Sequence, residues 1–180
     1  ARARSLQGGL LDRTGRLHES LDAHDRSIEI FAQIGDLRLL ADTIHNRALV
    51  LKHMGRAEAS RGDATRAIGL FRIAGREDRV ATAYQTMSSN LRSLWRFEEA
   101  LALARQARAY HRSKGSYSLE SVQQVNEAHC LWVSGRFQEA TRSLQELIAR
   151  REPYCRKTSR AQAHFHLSHI ACARADTSRA

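Results

Sequence analysis

The chain has 180 residues, 42% of them hydrophobic and 27% charged, and a formal net charge of +10. That balance is ordinary for a globular chain able to bury a sizeable core, and a single domain is the default expectation. No apolar run approaches the roughly 20 residues of a membrane-spanning helix. The odd set Cys130, Cys155 and Cys172 forms no CxxC pair and so no disulfide framework, which makes a cytoplasmic location the expectation.

The first helix is expected at about 2–14, ending before Gly15-Arg16, and the second at 17–34, ending before Gly35. The alternation then continues with helices at 38–54, 57–74, 79–94, 97–114, 119–134, 137–151 and 158–174. These stretches are rich in Ala, Leu, Arg and Glu, all good helix formers. None shows the sustained alternation of a strand. The junctions repeat every forty residues: Gly15-Arg16, Gly55-Arg56, Trp95-Arg96 and Gly135-Arg136, with Ser20, Ser60, Ala100 and Ala140 four places after each arginine. A second series, Gly35, Gly75 and Gly115, keeps the same period. Self-similarity at this spacing predicts a solenoid of helical hairpins, each burying its apolar face against its neighbours. The units run at about 1–40, 41–80, 81–120 and 121–160, with a half unit at 161–180, so the chain reads as one domain of about nine helices and as an excerpt of a longer protein.

Aligned first helices identify the buried face. The column Gly8, Ala48, Ser88, Ala128, Ser168 is always small, which requires a close approach by another helix. The column Leu11, Leu51, Leu91, Leu131 follows three places on. With Ala41 and Ile44, or Ala81 and Tyr84, these fall on one helical stripe. Phe31, Phe71 and Phe97 read as core, and Trp95 and Trp132 as junction or core packing. Cys130 and Cys172 sit in helix patterns where thiols are buried and inert.

The small residue, the leucine three later and the turn Gly135-Arg136-Phe137-Gln138-Glu139-Ala140 resemble the tetratricopeptide repeat. The forty-residue length is similar to the version found in kinesin light chain and in bacterial regulators of the maltose-activator type. The resemblance covers essentially the whole chain. It implies an all-α, right-handed solenoid of antiparallel helix hairpins and a non-catalytic scaffold that binds a protein or peptide. It also implies the setting, the sensor or interaction region of a bacterial regulatory protein.

The face of each first helix opposite the buried stripe is chemically unusual. It carries Asp42, Asn46, Leu49 and His53, then Thr82, Thr86, Ser89 and Ser93, then Val122, Asn126, His129 and Val133, then Gln162, His166, His169 and Ala173. Only Asp42 among these has a formal charge. An indifferent solvated face would carry Glu, Lys and Arg. Side chains that donate and accept hydrogen bonds at modest desolvation cost suit recognition of an extended backbone; the competing reading is that they bridge adjacent helices or face water. The resemblance implies that the stripe lines a concave groove, with Asn46 and Asn126 where the family holds a peptide main chain and Thr86 and His166 interrupting that ladder. Arg92 and Lys52, one turn further along, suit acidic groups on a ligand. The expected binding residues are therefore Asn46, Thr86, Ser89, Arg92, Asn126, His129, His166 and His169.

Other chemistries are weaker. The alternative reading, a nucleic-acid-binding repeat module, rests on the basic balance. However, the charge is spread along the chain, only three of its 29 basic residues are lysine, and no run of like charge marks a binding stripe. His164, His166 and His169 lie near Cys172, but His164 points away from His166 on a helix and no carboxylate completes a metal set. No phosphate-cradling or nucleophile motif is present, so neither a cofactor nor catalysis is expected.

Overall fold

A computed structural model describes residues 2–150 and 155–177. Those residues form an all-α repeat fold with no strand among them: α1 (Arg2–Arg13), α2 (Leu17–Ile34), α3 (Leu37–His53), α4 (Ala57–Ile73), α5 (Glu77–Ser93), α6 (Phe97–Ser113), α7 (Tyr117–Val133), α8 (Phe137–Ala149) and α9 (Lys157–Thr177). Helices α5 and α7 begin two residues before their expected starts. In α5 the early start places Glu77 and Asp78 in the first turn, where the helix dipole favours carboxylates. The expected last residue of α8, at 151, lies outside the described residues.

The turn chemistry explains the forty-residue signature. After α3, the Gly55 N–H donates to the Lys52 carbonyl at 3.0 Å and the Arg56 N–H to the Leu51 carbonyl at 2.9 Å, with Gly55 at φ +74°. A side chain is disfavoured at that left-handed position, so glycine recurs there. The following arginine opens the next helix and grips the glutamate three residues on. Arg96 Nε donates to Glu99 at 2.6 Å and Arg136 Nε to Glu139 at 2.7 Å, and Arg16 holds Glu19 in the same way. Arg56 has Ala59 in that place and no ion pair among the described residues, because Glu58 pairs with Arg61 instead.

The chain divides into two compact units, Ala1–Trp95 and Arg96–Ala180. In the first, Phe31, Ile44, Ile68, Phe71 and Val80 belong to one apolar cluster, with Leu11, Leu51 and Leu91 also buried. Small residues let the helices close together. The Ser20 hydroxyl donates to the Gly8 carbonyl at 2.7 Å and Ser60 to the Ala48 carbonyl at 2.5 Å, one repeat later. Asn90 Nδ2 donates to the Ser60 oxygen at 2.7 Å and ties α5 to the same point. Tyr84 is only half-buried and takes the Arg72 guanidinium on its hydroxyl.

Gly8 is glycine because of what faces it. A Cβ there would stand 2.8 Å from the ring of His24, which is buried. One repeat later Ala48 and Ala64 occupy the same two places, so the small side chain has moved from one helix to the other. Gly8→Ala is expected to cost about 1–3 kcal/mol through overpacking. Adding His24→Ala recreates the Ala48–Ala64 pair and recovers part of that loss, despite the void left by the imidazole. Urea unfolding of the two single variants and the double checks this; a double variant less stable than both singles contradicts it.

The second unit is packed differently. Leu101, Leu131, Leu144, Leu147 and Ile170 are buried, but so are Glu120, Gln123, Gln124 and Glu127, all on α7. Glu120 Oε1 accepts from Arg112 Nε at 2.9 Å and Nη2 at 2.7 Å, and from Arg150 Nη2 at 3.3 Å. Glu127 accepts from Arg105 Nε at 2.9 Å and Arg108 Nη1 at 2.8 Å. Burial alone would push the Glu120 carboxyl up; the Arg112 hydrogen bonds and the charges of Arg150, Arg112 and Arg108 outweigh it and hold it below its ordinary value. In α9 the small-column residue Ser168 is exposed, and of the helical thiols Cys130 is buried whereas Cys172 is exposed.

Candidate binding site

In the first unit the expected stripe residues lie on α3 and α5, which pack against each other, with α1 on the other side of α3. Cross-links between equivalent positions hold the register. His53 Nδ1 is 2.8 Å from Asp12 Oδ1, and His45 Nε2 is 3.1 Å from Thr86 Oγ1. Asp42, the single charged member of the stripe, accepts from Arg79 Nε at 2.8 Å and Arg76 Nη1 at 3.3 Å. Its charge is therefore neutralised within the unit.

The expected residues differ in how they are placed. Thr86 is 5% exposed and lies against His45 between α3 and α5. Burial pushes the His45 imidazole down to about 4, with the charge of Arg79 adding to the effect, so it is neutral at physiological pH. Asn46 and Ser89 are half-buried, and neither side chain makes a hydrogen bond among the described residues. Lys52 and Arg92, also half-buried, occupy one repeat column. Burial lowers the Lys52 ammonium and the nearby Arg92 charge lowers it further, while Asp12 opposes the shift. Two cations are thus held close enough to repel at the edge of a hydrogen-bonding surface.

In the second unit the corresponding faces of α7 and α9 meet in a ring cluster. The His129 and His166 centroids are 5.2 Å apart, Trp132 stands 5.6 Å from His129 and 5.7 Å from His169, and Phe165 is 4.4 Å from His169. Phe165 remains 59% exposed. Asn126 is half-buried and donates to Gln123 Oε1 at 3.4 Å. His129, His166 and His169 therefore come together, and Asn126 lies one turn before His129 on the same helix. Trp132 and Phe165 are additions to the expected set. For Trp132 a signal existed: it continues the column Asp12, Lys52, Arg92. Among the described residues no group of three or more His, Cys, Asp or Glu is arranged to hold a metal ion.

Trp95 contradicts the expectation of packing. It adopts φ +60°, where Gly15, Gly55 and Gly135 lie in the equivalent turns, and is 79% exposed. No helix among the described residues is long and apolar enough to cross a membrane.

Residues 80–113, which carry α5 and α6, match the family model described as tetratricopeptide repeat. Those residues match one tetratricopeptide repeat, and the chain as a whole has a tetratricopeptide-like helical repeat fold. The solved structures agree with this repeat fold from end to end. A Podosopora anserina kinesin light chain protein with nearly identical tetratricopeptide-like repeats is 14% identical with a TM-score of 0.81, over 99% of this chain and 88% of that one. A Rap protein complexed with Competence and Sporulation Factor is 19% identical with a TM-score of 0.78, over 98% of this chain and 49% of that one. The signal-transduction ATPase with a tetratricopeptide repeat sensor from Pyrococcus horikoshii is 16% identical with a TM-score of 0.74, over 88% of this chain and 24% of that one. At these identities the likeness concerns the tetratricopeptide fold. No curated protein matches the sequence.

Proposed function

We propose that this tetratricopeptide-repeat chain is a non-catalytic interaction module that binds an extended peptide or protein segment along the inner faces of its first helices. The observation that carries this reading is the hydrogen-bonding stripe, uncharged but for Asp42, above all the unengaged Asn46 amide and Ser89 hydroxyl beside Lys52 and Arg92. Amides and hydroxyls can pair with a ligand main chain, and the two cations suit acidic side chains. In the second unit Asn126 and the rings of His129, His166 and His169 offer a flat, partly polar platform. Helices packed in advance lose little conformational entropy on binding.

The regulatory setting follows the same pattern. One similar structure is a Rap protein in complex with a signalling factor, and another is a sensor within a signal-transduction ATPase. A sensor region in a bacterial regulatory protein, acting in the cytoplasm, fits that company. Nucleic acid is the less supported partner: Arg16, Arg47, Arg76, Arg79, Arg96, Arg105 and Arg136 all hold carboxylates. The test compares partner recovery by the intact chain and by the Asn126→Ala/His129→Ala/His166→Ala variant, with melting temperature as a folding control. A loss of about tenfold or more is expected for contacts central to an interface. Equal recovery by both proteins removes the second unit's face from the site.

A further inference from the structure

The first hairpin carries a titratable group where the others carry none. His24 lies on α2 against Gly8 of α1, and its equivalents in the next three hairpins are Ala64, Ala104 and Leu144, all fully buried. The Cε1, Nε2 and Cδ2 atoms of its ring stand 2.8, 2.8 and 3.1 Å from where a Gly8 Cβ would be. His24 is 1% exposed, and among the described residues neither ring nitrogen has a hydrogen-bond partner. A neutral imidazole fits that place as a flat plate. An imidazolium does not, because it carries two N–H donors and a charge that need acceptors or water.

The nearby acids are already committed. The charged groups that act on the ring are Asp12 on α1, Asp25 on α2 itself and Arg47 on α3. Asp25 holds Arg47 at 2.5 Å, and Arg47 also grips Asp63 at 2.7 Å. Asp12 Oδ1 is 2.8 Å from His53 Nδ1. Burial pushes the His24 imidazole down, Asp12 and Asp25 draw it up and Arg47 lowers it again; burial prevails.

We propose that the α1–α2 seam is an acid-sensitive latch, held shut by a neutral His24 over Gly8 and opened when a proton forces the ring out to water. Opening carries Asp12 away from His53 and Lys52, so one proton changes the charge at the edge of the inner stripe. The latch does not depend on what that stripe binds. Its sign follows from the neutral buried ring: stability is complete above about pH 6.5, where an exposed imidazole is also neutral, and falls as the pH drops below that. The Asp12–His53 contact works the other way, since a charged His53 grips the carboxylate harder, but His53 is exposed and such pairs contribute little. His45 titrates lower, at about 4, and belongs to the α3–α5 seam.

Hydrogen exchange of the backbone amides, corrected for the intrinsic pH dependence of exchange, tests the latch. Between about pH 7.5 and about pH 5.5 the protection of α1 is expected to fall about three- to tenfold, the ceiling being the ratio of charged to neutral ring once exposed. Helix α3 should keep its protection. His24→Leu copies the fourth hairpin, where Ala128 and Leu144 occupy the two equivalent places. That variant should hold α1 within about twofold over the same range. The proposal is overturned if α1 of the natural chain keeps its protection, if His24→Leu loses as much, or if α3 opens in the same proportion. A measurement on the natural chain alone covers a variant that fails to fold: the His24 ring, followed by NMR, should stay neutral while α1 is protected. A ring that titrates near about pH 6.5 beneath a protected α1 overturns the latch as well.

Discussion

Phe71→Ala is expected to destabilise the Ala1–Trp95 unit by about 3–5 kcal/mol, close to the whole stability of a small domain. Phe71 is fully buried at the centre of the apolar cluster and is approached by side chains from several helices. The His45 ring meets it edge-on at 6.1 Å and the Arg79 guanidinium lies 5.4 Å from its centroid. Removing the ring leaves a void that these helices fill only by losing the register that pairs His45 with Thr86 and Arg79 with Asp42. Urea unfolding followed by circular dichroism should show an early transition accounting for about half the helical signal. A shift worth less than about 1 kcal/mol would mean that the cluster collapses around the gap, and would count against a rigid first unit.

Glu120→Ala is the matching experiment on the second unit. It leaves Arg108, Arg112 and Arg150 facing one another without their shared carboxylate. Breaking a buried pair from one side costs about 3–5 kcal/mol. The lower end applies here, because Arg112 is largely exposed and can turn toward water. Glu120→Gln retains an acceptor and should lose less. The acid response follows from the lowered carboxyl. A folded-state value below the unfolded one contributes stability that is complete above about pH 4.3 and disappears as the pH falls through the folded value. Natural protein should therefore lose second-unit stability toward pH 3, while Glu120→Gln shows a flatter acid limb. Identical pH profiles would mean that the three guanidiniums do not hold the carboxylate.

The helices and their turns were legible because the same few residues recur at one spacing. Gly55, Arg56 and Leu51 are partners in one hydrogen-bonded turn, so their recurrence records a backbone conformation directly. The polar interior of α7 was not legible. Glu120 and Glu127 read as solvent residues, and only the arrival of Arg105, Arg108, Arg112 and Arg150 makes their burial tolerable. Those partners stand 8 to 30 positions away, beyond any periodicity along α7. Thr86 shows a different limit. Its helical face was assigned from spacing, but whether a neighbouring side chain covers it depends on residue 45 being a histidine long enough to reach across. Trp95 was misjudged because an aromatic at a helix end is ordinarily packed; its backbone angle, invisible in composition, is what sets it apart.

The Gly8–His24 fit bears on how such a chain can evolve. Tandem arrays gain and lose units by unequal crossing-over, and a forty-residue period without gaps invites it. Losing residues 9–48 would bring Gly8 opposite Ala64 and leave an imidazole-sized hole; copying the same stretch would drive the Ala48 methyl into a second His24 ring. Recombination at that point is penalised in both directions, so the first hairpin is locked to its place in the array, while the next two, which pair Ala48 with Ala64 and Ser88 with Ala104, are freer to be exchanged.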